Sequence, residues 1–243
     1  MSPIASVCVC DDYFTVSETG ELCLLPGRQG LRQLVRFNSP GTYQFRKSDY
    51  PWLARVRVRV QAGGGGAAGA NAPQNQYVSS PGGAGGGYSE SVIDVSALGP
   101  VETVIVGEGG LAGGPASDGG NGGNSSFGGL VTANGGAGGQ AVMSPGDTPV
   151  CYSGTPAPLA GSGQIAMGGG PGGGAFRING FQGQAGEGGG SHMGHGGFAR
   201  ASSGGGGASR GYGGGAAGSV SRGTGSQAGV AGGDGAVWVE LYG

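Results

Sequence analysis

Alternation of apolar and polar residues identifies the most regular segments of the chain. In residues 55–60 valine alternates with arginine, so the valines point to one side of a strand and the arginines to the other. The last segment, residues 235–243, alternates in the same way. We predict a strand at each place, and we expect the C-terminal strand to pair with residues 55–60 or with residues 101–106.

Shorter strand signals occur elsewhere. Residues 13–16 and 21–25 flank a turn-rich stretch, residues 17–20, which is typical of a hairpin. Further strands are predicted at residues 31–37, where one helical turn is the alternative, and at residues 42–45, 91–95 and 101–106.

The arginines of residues 55–60 allow two interpretations. They are the solvated face of a half-buried strand, or they form a stripe that binds an acidic partner or a glycan acid. On paired strands, Glu102 and Glu240 are candidate cross-strand partners for them, at about 0.2–1 kcal/mol per pair.

Glycine accounts for 65 of the 243 residues, and only four glycines lie in residues 1–60. A strand-rich N-terminal quarter therefore precedes a long glycine-rich body. Such a body cannot build an ordinary core, since glycine buries almost no apolar side-chain area. Charged residues make up 11% and the net charge is -2, so no electrostatic argument exists for binding nucleic acid or an anionic membrane.

The glycine-rich body has three candidate conformations. Collagen is excluded because glycine does not recur at every third position. A flexible coil is the second candidate. The third is a bundle in which glycine-rich polyproline II helices pack side by side and pair their backbone groups. Low charge and the bracketing strands favour this third conformation. The predicted fold is therefore mostly β plus a polyglycine/polyproline II helix bundle: a β-strand frame bracketing packed glycine-rich helices, with almost no α-helix.

Signals of catalysis are poor. The chain has a single lysine, Lys47, which lies outside any P-loop pattern, and its many GxGxxG matches follow from composition. The pair His192 and His195 is either loop decoration or, with Glu187 or a ligand from a partner chain, a metal pair. We expect no enzymatic activity, and we assign no metal site and no cofactor.

Cysteines and the N-terminus give further expectations. Cys8, Cys10 and Cys23 are expected to be buried small side chains, with three metal ligands as the alternative. Residues 1–12 lack the basic and apolar regions of a signal peptide, and no apolar run approaches the ~20 residues that cross a bilayer. We expect neither a signal peptide nor membrane insertion.

Non-glycine interruptions are where loops should fall. The longest are residues 67–81, 141–167, 175–184 and 198–210, which carry Asn, Gln, Tyr, Ser, Pro and Arg. Such residues suit sugar faces and hydroxyl groups; the alternative for each is a loop residue that makes only local contacts. The candidate receptor-binding residues are Gln76, Tyr77, Tyr152, Arg177, Phe181, His192 and His195.

An ordered series of motifs resembles a known family. The motifs lie at residues 37–45, 55–66, 85–90, 93–96, 103–107, 124–128, 131–136 and 232–239. Together they resemble the glycine-rich domain of bacteriophage tail proteins, namely tail fibre tips, adhesins and minor tail proteins. The resemblance covers about residues 35–243. Residues 1–34 lie outside it and are interpreted as a strand-rich attachment or oligomerisation segment.

The resemblance implies a virion protein of the tail tip or fibre, made in the host cytoplasm, that touches the host surface. Its partners would be a receptor, either a glycan or an envelope protein, and other phage tail proteins. Tail fibre proteins of this kind are often homotrimers, which makes a homotrimer one implied assembly. Two alternatives stay open: a purely structural minor tail protein that contacts only virion proteins, and a disordered extracellular or wall-type glycine-rich protein.

Overall fold

The computed structural model describes residues 12–25, 30–223 and 225–243. These residues form a nearly all-β protein with many small antiparallel sheets. Two short 3-10 turns lie at Lys47–Asp49 and Val95–Ala97. In chain order the described strands are β1 (Phe14–Val16), β2 (Leu22–Leu24), β3 (Leu31–Phe37), β4 (Gly41–Arg46), β5 (Arg55–Gln61), β6 (Ala70–Ala72), β7 (Tyr77–Ser79), β8 (Tyr88–Asp94), β9 (Val101–Val106), β10 (Ser125–Phe127), β11 (Val131–Ala133), β12 (Val150–Tyr152), β13 (Ile165–Met167), β14 (Ala175–Asn179), β15 (Gln182–Gln184), β16 (Gly194–His195), β17 (Arg210–Gly211), β18 (Val220–Arg222), β19 (Gly225–Gln227) and β20 (Ala236–Tyr242).

The individual strand predictions are confirmed. β1 and β2 form the expected antiparallel hairpin, and residues 31–37 are a strand rather than a helical turn. β20 pairs with β5, one of its two expected partners, so that Val239 lies opposite Val58. The strand β3 runs from residue 31 to residue 37. It therefore spans the boundary that the sequence analysis placed between residues 1–34 and the glycine-rich domain.

Two sheets pack face to face around the main core. One has the strand order β13-β8-β5-β20-β3 and the other the order β11-β10-β9-β4. β3 and β4 are consecutive in the chain but belong to different sheets, so the connection between them crosses from one layer to the other. The valines of β5 are fully buried in this core, as their alternation predicted. Val104, Phe127 and Val239 are buried with them.

The predicted bundle of packed glycine-rich helices is wrong. Among the described residues 38% lie in strands and 3% in helical turns, and no packed glycine-rich helices are seen there. The glycine-rich stretches are connections without regular secondary structure between small antiparallel sheets. The physical reason is that glycine has no strong conformational preference, so a high glycine content does not by itself dictate a repeating helix.

These connections nevertheless pair their backbones with one another. Residues 63–66 are buried, and the amides of Gly64, Gly65 and Gly66 donate to the carbonyl oxygens of Gly233, Ala84 and Gly120, at 2.8–2.9 Å. A Cβ atom on Gly65 would lie well inside van der Waals contact of the Ala137 carbonyl group. Close approach of the backbones therefore requires glycine at this position.

A second group of sheets lies at the other end of several glycine-rich connections. It comprises the three-stranded sheet β12-β14-β15 and the pairs β18-β7 and β19-β6. β6 and β7 are consecutive in the chain, yet each pairs with a strand of the β18–β19 segment. Tyr77, Ala185 and Val220 form one small apolar cluster here, and Ala70, Ala72, Val78, Met143 and Ala175 form another.

Candidate functional site

Three turns meet around Asn75 at one end of this second group of sheets. Asn75 lies in the turn between β6 and β7 and adopts a left-handed backbone conformation, with a φ of 61°. Gly223, in the turn between β18 and β19, and Gly180, in the turn between β14 and β15, both lie against the backbone of Asn75. We call residues 73–76, 144–148, 180–181 and Gly223 the loop end.

Arg177 holds the loop end together from inside. Its guanidinium donates from Nε to the carbonyl oxygen of Thr148 at 2.7 Å, and from Nη1 to those of Ser144 at 2.8 Å and Tyr77 at 2.9 Å. The residue is only 7% exposed, and none of the described acidic groups forms an ion pair with it. A buried charge is tolerated only when it is hydrogen-bonded. Arg177 therefore anchors residues 144–148 to β7.

Tyr77 lies in the interior beside the loop end. Its side chain is fully buried, and its backbone amide donates to the carbonyl oxygen of Gly146 at 2.8 Å. Burial raises the pKa of its phenol to about 12. A Cβ atom on Gly183 would strike the Tyr77 ring, so β15 approaches it closely. A receptor cannot reach this ring unless the protein opens.

Phe181 and Gln76 occupy accessible positions at the same end. Phe181 is 56% exposed at the tip of the β14–β15 turn, where its amide donates to the side-chain oxygen of Asn179. Ile178 precedes it on β14 and is 52% exposed. Gln76 is half-buried in the β6–β7 turn. Phe181 is thus the accessible aromatic group among the residues predicted for the loop end.

Tyr152 ends β12 and borders a cavity of about 390 Å³. The residue is half-buried and also packs against the cluster that contains Met143 and Ala175. The opposite wall of the cavity is glycine-rich chain, where the amide of Gly138 donates to the side-chain oxygen of Asn121 at 2.9 Å. The cavity therefore lies between β12 and the glycine-rich chain around Gly138.

His192 and His195 lie apart from these residues. His192 stacks on Tyr88 of β8, with ring centroids 4.1 Å apart. His195 pairs through β16 with Arg210 of β17. In the part of the chain that the structure describes, no group of three or more His, Cys, Asp or Glu side chains is placed to hold a metal ion. Both histidines are exposed.

One of the cysteine expectations can be compared with the structure. Cys23 is an exposed free thiol, so the expectation that it is buried is wrong. It lies on β2, whose residues are all exposed. Cys8 and Cys10 lie outside the described residues. Within the described ranges, no helix has the length and apolar character needed to span a bilayer.

The arginines of β5 are engaged within their own sheet. Arg57 forms ion pairs with Glu90 at 2.7 Å and with Glu240 at 3.7 Å, and Arg59 pairs with Glu240. Arg55 lies over the ring of Tyr242 at 5.3 Å. This arrangement matches the solvated face of a half-buried strand better than a stripe free to bind an acidic partner.

The acidic partners of this network differ partly from the prediction. The prediction that Glu240 pairs with the arginines of β5 is confirmed. Glu102 is wrong, because β9 belongs to the other sheet and the Glu102 side chain accepts a hydrogen bond from the amide of Gly99 at 2.7 Å. Glu90 was missed, although it lies opposite Arg59 on β8. Residues 89–91 are all polar and do not alternate with apolar residues, so no pattern in the sequence assigned Glu90 to a face of the strand.

The electrostatics of the two glutamates follow from their partners. Burial opposes ionisation of Glu90, but hydrogen bonds from Arg57 and from Tyr88, the latter at 2.5 Å, outweigh it and lower the pKa of the carboxyl group. The same balance holds for Glu240. Burial raises the pKa of its carboxyl group, but hydrogen bonds from Tyr242 and Arg59 outweigh burial and lower the pKa. Both carboxylates are therefore ionised at neutral pH.

The fold and the site define an all-β protein in which glycine-rich connections support a group of loops at one end. The chain belongs to the glycine-rich domain family, whose model matches residues 38–242. No curated protein matches the chain. The family match concerns the glycine-rich domain alone and does not name a tail protein or a receptor.

Proposed function

We propose that the protein is a non-enzymatic component of a bacteriophage tail tip or fibre, and that its loop end binds the host cell surface. One observation carries the proposal: the turns meet around Asn75 at one end, where the buried guanidinium of Arg177 also joins residues 144–148 and β7 to β14. Loops held on a rigid scaffold are the usual place for binding groups. The resemblance of the ordered sequence motifs to tail proteins supplies the proposed context.

In this proposal the host receptor is a glycan or an envelope protein. The protein is made in the host cytoplasm and acts in the virion, where it contacts other tail proteins, as a monomer or a homotrimer. Phe181 offers an exposed aromatic surface to the receptor, and Gln76 offers amide hydrogen bonds. Arg177 and Tyr77 support these groups from beneath, because both are buried.

A structural role within the tail is the second candidate. The β1–β2 hairpin exposes apolar side chains, with Val16 56%, Leu22 55% and Leu24 39% exposed. Apolar side chains exposed together favour burial against another protein. This hairpin therefore suits attachment to another virion protein, with or without receptor binding at the loop end.

The test is binding of the purified chain to envelope fractions of bacteria that are susceptible to a phage encoding it. We compare the wild type with a Gln76→Ala/Phe181→Ser variant and with the control Leu111→Ser, which removes an exposed apolar side chain outside the loop end. We expect wild type and control to bind alike, and the loop-end variant to bind about tenfold more weakly.

Two results would contradict the proposal. One is equal binding by all three proteins, which would place the receptor site elsewhere. The other is absence of envelope binding by the wild type together with binding to phage tails that lack the protein, which would support the structural role alone. Thermal unfolding of each variant checks that the substitutions leave the fold intact.

A further inference from the structure

The cavity beside Tyr152 is lined by residues of a consistent chemical type. No charged side chain is among the residues that line it. Its hydrogen-bonding groups are uncharged, and they belong to Asn121, Gln140, Tyr152, Ser153 and Thr155. Proline and aliphatic side chains, including Pro156 and Val142, complete the wall. A ligand bound here meets neutral polar groups and apolar surface in similar measure.

Several of these polar groups are free to bind a ligand. Among the described residues, the side chains of Gln140, Tyr152, Ser153 and Thr155 make no hydrogen bond within the protein. Gln140 and Ser153 are exposed, whereas Thr155 is only 5% exposed. The cavity therefore combines groups at the solvent with a hydroxyl-bearing residue deeper in the wall.

The walls of the cavity are held in place before any ligand binds. The side-chain oxygen of Asn121 accepts a hydrogen bond from the amide of Gly138. The carbonyl oxygen of Thr155 accepts one from the amide of Gly172 at 2.9 Å. The carbonyl oxygen of Ala137 accepts the amide of Ala84 at 2.8 Å. A site that is already ordered costs less conformational entropy when a ligand binds.

The chemistry of these groups selects the ligand. Hydroxyl-rich ligands need donors and acceptors of the kind that Gln, Ser, Thr and Tyr provide, and the apolar face of a sugar ring needs an aromatic or aliphatic surface. An acidic ligand would find no cationic partner in the wall, and burying an unpaired charge is costly. The volume lies near the lower end of the roughly 300–1,000 Å³ of small-molecule sites, which suits one or two rings.

We propose that this cavity binds an uncharged saccharide unit through Tyr152, Gln140 and Ser153, with Thr155 at its floor. The assignment of that saccharide to a host surface glycan rests on the proposed function. The binding of the sugar itself does not rest on it.

The experiment measures binding of five sugars to the full chain by saturation-transfer NMR and titration calorimetry. The neutral probes are methyl glucoside, methyl galactoside and N-acetylglucosamine, and the acidic probes are glucuronate and N-acetylneuraminate. The variants are Ser153→Trp, which fills the cavity from an exposed position, Gln140→Ala and Tyr152→Phe. The control Ser202→Trp adds the same side chain at an exposed serine that does not line the cavity.

We expect at least one neutral sugar to bind and both acidic sugars to bind more weakly. Ser153→Trp should abolish the binding, Gln140→Ala and Tyr152→Phe should each weaken it about tenfold at most, and Ser202→Trp should leave it unchanged. Tyr152→Phe keeps the ring and its packing, so its effect reports the hydroxyl group.

Absence of binding by every neutral sugar, tighter binding of the acidic sugars, or equal binding by the Ser153→Trp variant would overturn the proposal. Envelope binding by the same proteins separates the two proposals. Envelope binding without sugar binding removes the saccharide site and leaves the proposed function. If the sugar binds in a way that depends on position 153 and the protein does not bind envelope, the saccharide site stands and the proposed function is removed.

Discussion

Arg177 donates a hydrogen bond from Nη1 to the carbonyl oxygen of Tyr77 at 2.9 Å, across 100 positions of the chain. The same nitrogen reaches Ser144, so one buried guanidinium joins β14, β7 and the loop that precedes β12. β7 and residues 144–148 are also joined by the hydrogen bond from the Tyr77 amide to the carbonyl oxygen of Gly146 at 2.8 Å, but Arg177 is the charged side chain that bonds to all three segments at once. We therefore expect the order of the loop end to depend strongly on Arg177.

Replacement of Arg177 by methionine should therefore destabilise the protein by about 2–4 kcal/mol. The variant keeps most of the buried volume but leaves the carbonyl groups of Tyr77, Ser144 and Thr148 without their charged donor. Urea unfolding measures the loss. Arg210→Met is the matched control, because Arg210 is exposed; a loss of similar size in both variants would argue against a specific anchoring role.

The network of Arg57, Glu90 and Glu240 should make stability depend on pH. Both glutamates have pKa values lowered below the ordinary 4.5, so their contribution is present above that value and is lost as pH falls through the folded-state pKa. A Glu90→Gln/Glu240→Gln variant should be less stable than the wild type by about 1–3 kcal/mol near neutral pH. The difference should shrink as the pH is lowered below 4.5.

Unfolding in urea at a series of pH values measures this dependence. Glu187→Gln serves as the control, since Glu187 is an exposed carboxylate outside the network. A difference between variant and wild type that stays constant down to the acid limit would show that ionisation of the two glutamates does not carry the effect.

Gly65 provides a test of close backbone packing. A Cβ atom there would overlap the Ala137 carbonyl group, whereas at Gly129 it would meet nothing within 4 Å. Gly65→Ala should therefore destabilise the protein by about 1–3 kcal/mol or more, and Gly129→Ala should have little effect. Melting temperatures measured side by side test this. Equal melting temperatures for the two variants would mean that the glycine-rich connections are looser than the structure shows.

Sequence patterns predicted the strands well but predicted their neighbours less completely. Alternation in β5 and β20 identified both strands and their buried faces, because a strand with one buried face repeats every two residues. The same rule assigns a side chain to a face and not to a sheet. For that reason Glu102 was assigned to the arginines although β9 lies in the other layer, and Glu90 was missed.

The conformation of the glycine-rich stretches and the burial of site residues were harder to predict. Glycine is compatible with many backbone conformations, so its abundance indicated close packing but not the small antiparallel sheets that the chain forms. Residue type also does not reveal whether a loop residue faces solvent. Tyr77 and Arg177 were chosen as receptor-facing groups and lie in the interior, while Phe181 is exposed.

The central claim is that the glycine-rich connections are an ordered, backbone-paired scaffold that supports the loop end. Amide hydrogen exchange of the intact chain, followed for residues 63–66, tests it most directly. These amides donate to Gly123, Gly233, Ala84 and Gly120. We predict that they exchange as slowly as the amides of β5 and open only with global unfolding. Exchange at the rate of an unstructured chain, while β5 stays protected, would contradict the claim.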